Sequence, residues 1–299
     1  MTRAASDFSP TPPPFDISVR LNATSIDGKS LAATIGQLAA RREPAVLRGT
    51  LVSSWPALRS WHQKGLCERV PVFGGPVFLG NDSLFYHEHR DPSKKPWVRL
   101  EEPLRTPLNM TCAEFIAALD EQGARHPYMY VSAPLRGAMA DLPSLDQLLV
   151  PEVVARAGST NLWLGRGVTA AMHYDGHHNI FVQLIGRKKF LLAPPAAALQ
   201  LRLFPEPHPR DRHAQPRRPA TSGTCIEHLE EVDARHADDR SNGRQAPVWT
   251  SEAVLDPGDV LYLPPYHFHR VEALPSALRC AVSPSGFSSF ATDPVPGRA

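Results

Sequence analysis

A chain of 299 residues with 42% hydrophobic content can bury a sizeable core, and a net charge of +2 gives no electrostatic case for a nucleic-acid or membrane partner. Its 31 prolines favour many short strands and turns over a helix bundle. The four cysteines, Cys67, Cys112, Cys225 and Cys280, form no CxxC pair, which argues against a cysteine zinc site and for free thiols in a reducing, cytoplasmic setting.

Residues 1–16 are polar and proline-rich, and read as a flexible tail without a signal-peptide pattern. No later run is apolar enough to span a bilayer. Residues 17–299 read as one domain: a helical and strand part over 17–157, then a core over 158–285. Leu31, Ile35 and Leu38 fall at helical spacing in a helix over 30–41 that Ser30 could cap. A strand follows at 44–48, and the tryptophans of the Trp55–Trp61 run belong to the core. Thr111-Cys112-Ala113-Glu114 is a capping box, so a helix starts there. Residues 128–132 alternate as a strand, and Leu145, Leu148 and Val153 suggest a helix over 144–157. Strands then come thickly, at 161–165, 171–175, 179–185, 188–193, 259–263, 269–274 and 278–283. Short strands joined by Gly/Pro turns point to a double-sheet jelly roll, mainly β with flanking helices.

Residues 202–250 interrupt that core. Their first half is basic (Arg202, Arg210, Arg212, Arg217, Arg218) and their second half acidic (Glu227, Glu230, Glu231, Asp233, Asp238, Asp239). The segment is either a solvated insertion whose halves attract each other or a loop that covers a substrate.

The chemistry centres on His173-Tyr174-Asp175. In extended backbone, residues i and i+2 share a face, so an imidazole and a carboxylate are presented together. That is two thirds of a 2-His-1-carboxylate facial triad, the ligand set of non-haem Fe(II) oxygenases. The third ligand is sought downstream, where PGDVLYLPPYHFHRVE gives a turn, an apolar strand, a Pro-Pro stop and two histidines, His267 and His269, of equal parity. His177 and His178 read as pocket-wall or substrate-facing residues.

The runs HYDGHHNIFVQLIGRKKFLLAPP, LFPEPHPRDR, PGDVLYLPPYHFHRVEAL and RREPAVLRGTLVSSWPALRSW together resemble the JmjC/cupin-like 2-oxoglutarate oxygenases, especially the factor-inhibiting-HIF type of asparaginyl hydroxylase. The resemblance implies a double-stranded β-helix that uses Fe(II), 2-oxoglutarate as co-substrate and O2. It implies His173, Asp175 and His269 as the iron ligands and so decides against His267. It implies Lys188 as the cation for the distal carboxylate of 2-oxoglutarate. Tyr130, with Tyr128 as rival, would hydrogen-bond that carboxylate, and Asn179 and Phe181 match pocket positions. Two departures stand out. A threonine often precedes the first histidine by three residues; here that position is Ala170, with Thr169 adjacent, so either the strand is shifted or one hydrogen bond is missing. Ser283 stands where an asparagine is often found.

The activity implied is hydroxylation of an unactivated C–H bond, most simply on a protein or peptide side chain. A free amino acid or small biosynthetic intermediate is the alternative substrate, and a non-catalytic metal-binding cupin module the third reading. Lysine demethylation is disfavoured because no reader domain or zinc cluster accompanies the core. Both monomer and homodimer remain open.

Overall fold

The structure is a computed structural model, and it describes residues 15–16, 18–20, 28–80, 82–87, 106–120, 128–135, 138–143, 157–201, 203–206, 208–215, 251–274 and 279–286. The early strands are β1 (Phe15–Asp16), β2 (Ser18–Arg20), β3 (Ala45–Arg48), β4 (Val77–Gly80), β5 (Leu84–Phe85) and β6 (Thr106–Leu108). The core strands are β7 (Tyr128–Pro134), β8 (Ala157–Gly165), β9 (Thr169–Tyr174), β10 (Asn179–Ile185) and β11 (Lys188–Ala193). They are completed by β12 (Ser251–Leu255), β13 (Val260–Leu263), β14 (Phe268–Ala273) and β15 (Arg279–Gly286). Helices α1 (Gly28–Arg41), α2 (Ala57–Ser60), α3 (Gln63–Arg69), α4 (Cys112–Asp120) and α5 (Ala198–Leu201) accompany them.

These strands make a six-stranded sheet, ordered β1-β12-β11-β14-β9-β5, and a nine-stranded sheet, ordered β2-β3-β13-β10-β15-β8-β7-β4-β6. One apolar cluster joins the two sheets: Phe181, Leu261, Leu263, Val46 and Trp163 from the larger meet Phe190, Leu192, Leu255, Ala253 and Val271 from the smaller. This is the jelly roll that the strand pattern predicts. A larger cluster fills the opposite face of the nine-stranded sheet, where Ile180, Val182 and Leu184 of β10 meet Leu31 and Ile35 of α1, Trp55, Trp61, Leu66 of α3 and Phe115 of α4. β10 is therefore covered on both sides, which is why it reads as a continuous apolar run rather than an alternating one.

Local chemistry explains the helices. Thr111 and Glu114 form a reciprocal capping box: the Thr111 backbone N–H donates to Glu114 Oε2 at 2.8 Å, and the Glu114 N–H donates to Thr111 Oγ1 at 3.2 Å. Those bonds from Thr111 hold the Glu114 carboxyl below its usual range. α1 begins at Gly28, so Ser30 lies inside the helix and is not its cap. The helix expected over 144–157 falls outside the described residues, except that Ala157 opens β8. Asp256-Pro257-Gly258-Asp259 is the predicted turn; Gly258 has φ +94°, a left-handed conformation that glycine adopts without steric cost.

The expectation of free thiols is corrected at one pair. Cys67 of α3 and Cys112 of α4 form a disulfide, their Cα atoms being 5.2 Å apart, inside the span a disulfide requires. Cys225 lies outside the described residues.

Candidate metal centre and its surroundings

β9 and β14 pair antiparallel with His173 directly opposite His269. Cross-strand partners share one face of a sheet. Asp175 follows one residue after the end of β9. The donor atoms of His173, Asp175 and His269 all lie within 4.8 Å of one another. His269 Nε2 is 3.6 Å from Asp175 Oδ2. The backbone of the loop is tied to the opposite turn, because the Tyr266 N–H donates to the Asp175 carbonyl at 2.7 Å.

Both imidazoles are oriented by their own strands. His173 Nδ1 lies 2.7 Å from the Ala171 carbonyl, and His269 Nδ1 lies 3.1 Å from the His267 carbonyl. A carbonyl only accepts, so each Nδ1 carries the proton and Nε2 is the ring nitrogen left for a metal. Burial pushes His173 down to about 4, with His269 beside it adding to the effect, so its ring is neutral at pH 7. Burial alone would raise the Asp175 carboxyl. His269, His173, His177 and the hydrogen bond from Asn179 outweigh it and hold that carboxyl well below its ordinary range. A neutral His173 imidazole and an ionised Asp175 carboxylate are protonation states that a divalent cation requires. The residues present therefore fit a divalent metal held by two imidazoles and one carboxylate.

His267, the rival ligand, is not in this group. Its ring is held neutral by burial, which lowers it to about 4, and its contribution to the centre is the carbonyl that orients His269.

The β11 register sorts the basic cluster. Lys188 stands opposite Ala273, Phe190 opposite Val271 and Leu192 opposite His269, so the face that carries the histidine also carries Lys188. Lys188 is 4% exposed, and its Nζ lies 5.1 Å above the Phe181 ring. Arg187 and Lys189 turn outward into ion pairs with Asp256 and Glu252. Phe181 meets Phe190 edge-on at 4.9 Å and stacks on Trp163 at 5.6 Å, forming an apolar wall beside Lys188.

Thr169 requires correction. Between His269↔His173 and Val271↔Ala170 the pairing shifts by one, so Arg270 faces two residues of β9, a β-bulge. Ala170 is paired with Val271, which belongs to the inter-sheet cluster, whereas Thr169 is paired with Glu272. Ala170 thus shares the inner face with His173, and Thr169 lies on the outer one. The inner face has a methyl group where the resemblance leads one to look for a hydroxyl.

Tyr130 of β7 stands opposite Gly165 and packs on Phe85 at 5.2 Å. Burial raises its hydroxyl pKa strongly, and the negative charge of Asp175 raises it further, so Tyr130 lies within electrostatic reach of the centre. Tyr128 is 38% exposed. Asn179 Nδ2 donates to Asp175 Oδ2 at 2.6 Å, which sets its amide beside the triad. Ser283 stands opposite Asn161 on β15, and its side chain lies outside the described residues. His177 is half-buried within reach of Asp175, whereas His178 turns away to the Tyr262 hydroxyl at 2.6 Å.

The residues that sequence reasoning missed come from 203–215. The described residues of this part of the insertion are anchored to the sheet, with His208, Arg210, Asp211 and His213 buried and Pro205, Glu206 and Gln215 exposed. Ala214 N–H donates to Met172 O at 2.9 Å, Tyr174 N–H donates to Arg212 O at 3.2 Å, and His213 bridges His173. His213 is 2% exposed, stacks on His173, and accepts the His87 N–H at 3.2 Å. Arg210 lies 4.3 Å above the Tyr86 ring, and Phe204 stacks on His208 at 4.3 Å. The LFPEPHPRDR resemblance marked this stretch, but its polar composition concealed its burial. Residues 216–250 lie outside the described residues.

A family model described as a cupin-like domain matches residues 32–287. The chain is 34% identical over 242 residues to the Jumonji C domain-containing protein 5 of Drosophila melanogaster, covering 77% of this chain and 52% of that protein. It is 28% identical over 246 residues to a protein of Arabidopsis thaliana named lysine-specific demethylase JMJ30, covering 79% and 48%. It is 23% identical over 241 residues to the lysine-specific demethylase 8 of Xenopus tropicalis, covering 78% and 46%. The chain spans about half the length of these curated relatives. Two of the three carry demethylase names, so the narrower asparaginyl-hydroxylase resemblance rests on its motifs alone.

Proposed function

The chain belongs to the cupin-like (JmjC) domain family, and from that premise we propose that it is an Fe(II)- and 2-oxoglutarate-dependent dioxygenase that hydroxylates a protein or peptide side chain. The observation that carries this reading is the convergence of His173, Asp175 and His269 within 4.8 Å on the inner face that also bears buried Lys188. His173 Nε2, His269 Nε2 and the Asp175 carboxylate would hold the metal. When bound, iron with 2-oxoglutarate and O2 supplies the oxidising power to insert oxygen into a C–H bond.

The chain's own residues do the rest. Lys188 binds the distal carboxylate of 2-oxoglutarate through a charge-assisted contact. Its row lies four residues along β11 from the row of His269, roughly 13 Å at strand rise. A long lysine side chain and a five-carbon dicarboxylate together bridge that interval. Tyr130 lies on the same side as a neutral hydroxyl donor, since its raised pKa keeps it protonated at pH 7. Phe181, Phe190 and Val271 keep water from the co-substrate. Glu272 and Thr169 face away and take no part.

The protein-substrate reading is supported by the relatives, two of which are named for action on lysine. Lysine-specific activity is not carried over to this chain. The test is to incubate the protein with Fe(II), 2-oxoglutarate and a peptide library, and to follow succinate release and the gain of one oxygen atom by mass spectrometry. Oxygen gained only by free amino acids would overturn the peptide assignment. No co-substrate turnover with any additive would overturn the enzyme.

A further inference from the structure

We propose that Tyr266 is a positioning residue for Asp175: one turn residue that grips the chain on both sides of this metal ligand and so fixes where its carboxylate is presented. The inference rests on the metal-site reading above.

Asp175 is the member of the triad that the sheet holds least. His173 and His269 sit within paired strands, opposite each other. Asp175 lies one residue beyond β9, at the start of the loop Asp175-Gly176-His177-His178. An aspartate side chain is short, so the place of its carboxylate is set by the backbone before any rotamer is chosen.

Tyr266 supplies the support that the strand ladder does not. Its backbone N–H donates to the Asp175 carbonyl at 2.7 Å. Its ring stands 5.9 Å, centroid to centroid, from the ring of Tyr174. The edge of the same ring comes within 4.0 Å of the place that a Cβ on Gly176 would occupy. One residue therefore touches 174, 175 and 176 in turn. It belongs to the turn Pro264-Pro265-Tyr266-His267, in which the His267 N–H donates to the Pro264 carbonyl, and β14 with His269 follows directly. The clamp thus ties the Asp175 loop to the strand of another ligand.

The backbone at Tyr266 sets it apart from ordinary packing. Its φ is +65°, in the left-handed region. A bulky side chain is a steric outlier there, whereas glycine or asparagine meets the third place of such a turn readily. Strain of this kind persists only where the surroundings over-determine it, and it clusters where a ligand is held. What tyrosine adds over glycine is the ring, and the ring lies on the two chain neighbours of Asp175. Residues that orient a metal ligand typically contribute 10- to 100-fold in metal affinity.

The experiment is a titration of the metal-free protein with Co(II), without 2-oxoglutarate, beside a thermal melt. It compares wild type, Tyr266→Gly, Tyr266→Phe and Leu201→Ala. Tyr266→Gly keeps the N–H and relaxes the backbone but removes the ring. It should weaken Co(II) binding about 10- to 100-fold and change the visible absorption of the bound Co(II). Tyr266→Phe keeps the ring and should restore wild-type affinity. Leu201→Ala thins the same apolar cluster from α5; it should lower Tm and leave Co(II) affinity unchanged. If Tyr266→Gly does not fold, Tyr266→Asn, which also tolerates a left-handed φ, takes its place. Wild-type Co(II) affinity in Tyr266→Gly would overturn the proposal. An equal loss in Tyr266→Phe would overturn it too, because the ring would not be the cause. So would an equal loss in Leu201→Ala, which would make the effect a general loosening of the cluster. A wild-type protein that binds no Co(II) would overturn the metal-site reading and this assignment with it.

Discussion

His173 and His213 lie ring against ring, their centroids 5.1 Å apart and their planes 21° from parallel, where the 203–215 segment bridges β9. His269 covers another side of the same imidazole, with centroids 4.2 Å apart. His173 is thus clamped by one residue of the sheet and one of the insertion. We expect His213→Ala to keep the fold but to weaken Fe(II) or Co(II) binding about tenfold, the low end for a residue that orients a ligand. Calorimetric titration of the metal-free protein measures it, and unchanged affinity would leave His213 as packing only.

The two rival histidines make a sharper comparison. His269→Ala should abolish turnover and metal binding, because it removes an Nε2 from the triad. His267→Ala should retain both, since only its backbone carbonyl serves the centre and alanine keeps that carbonyl. Metal loss in His267→Ala with binding kept in His269→Ala would reverse the assignment.

Lys188→Ala should act on the co-substrate alone. A buried charge-assisted contact is worth roughly 1.5–3 kcal/mol, so the KM for 2-oxoglutarate should rise about 10- to 150-fold. Metal affinity measured without co-substrate should not change. Steady-state kinetics against 2-oxoglutarate checks this, and an unaltered KM would move the role to another cation.

The β-bulge gives a prediction about adjacent residues. Thr169→Val, on the outer face beside Glu272, should leave the KM for 2-oxoglutarate unchanged. Ala170→Thr, on the inner face beside Val271, adds a hydroxyl to the pocket. It should lower that KM by about tenfold, the value of one net hydrogen bond of ~1.4 kcal/mol. The opposite pattern would show that the register continues without a bulge.

The disulfide predicts a stability difference with no direct effect on the site. Cys67 and Cys112 close a loop of 45 positions between α3 and α4. Reduction, or Cys67→Ala with Cys112→Ala, should cost roughly 2–5 kcal/mol. Denaturant melts with and without reductant measure it, while metal affinity at low denaturant should stay constant.

Much of the centre was legible because it obeys simple periods. His173 and Asp175 are two residues apart, Lys188 alternates with Arg187 and Lys189, and the turn around Gly258 starts the strand that leads to His269. Counting by twos failed where the chain inserts a residue: the bulge at Ala171 and Met172 reverses the faces of Thr169 and Ala170. His213 was hidden for a different reason. Its burial comes from Tyr86, His87 and His173, which are remote in sequence, and a polar stretch without periodicity carries no mark of such contacts. The disulfide was likewise out of reach, because pairing depends on a Cα separation that sequence spacing does not encode.

In the six-stranded sheet β14 lies between β11 and β9, although it is the last of those six strands to leave the ribosome. β9 and β11 cannot complete their side of the barrel by pairing with each other; they must hold apart a slot for a strand that arrives only after the long 202–250 connection. Closing so distant a pairing carries a loop-entropy cost that only the finished sheet repays, which makes it a slow, late event in folding. Metal capture by His173 and Asp175 together with His269 should therefore coincide with the end of refolding. A stopped-flow experiment that follows Co(II) absorption beside tryptophan fluorescence would time the seating of that final strand.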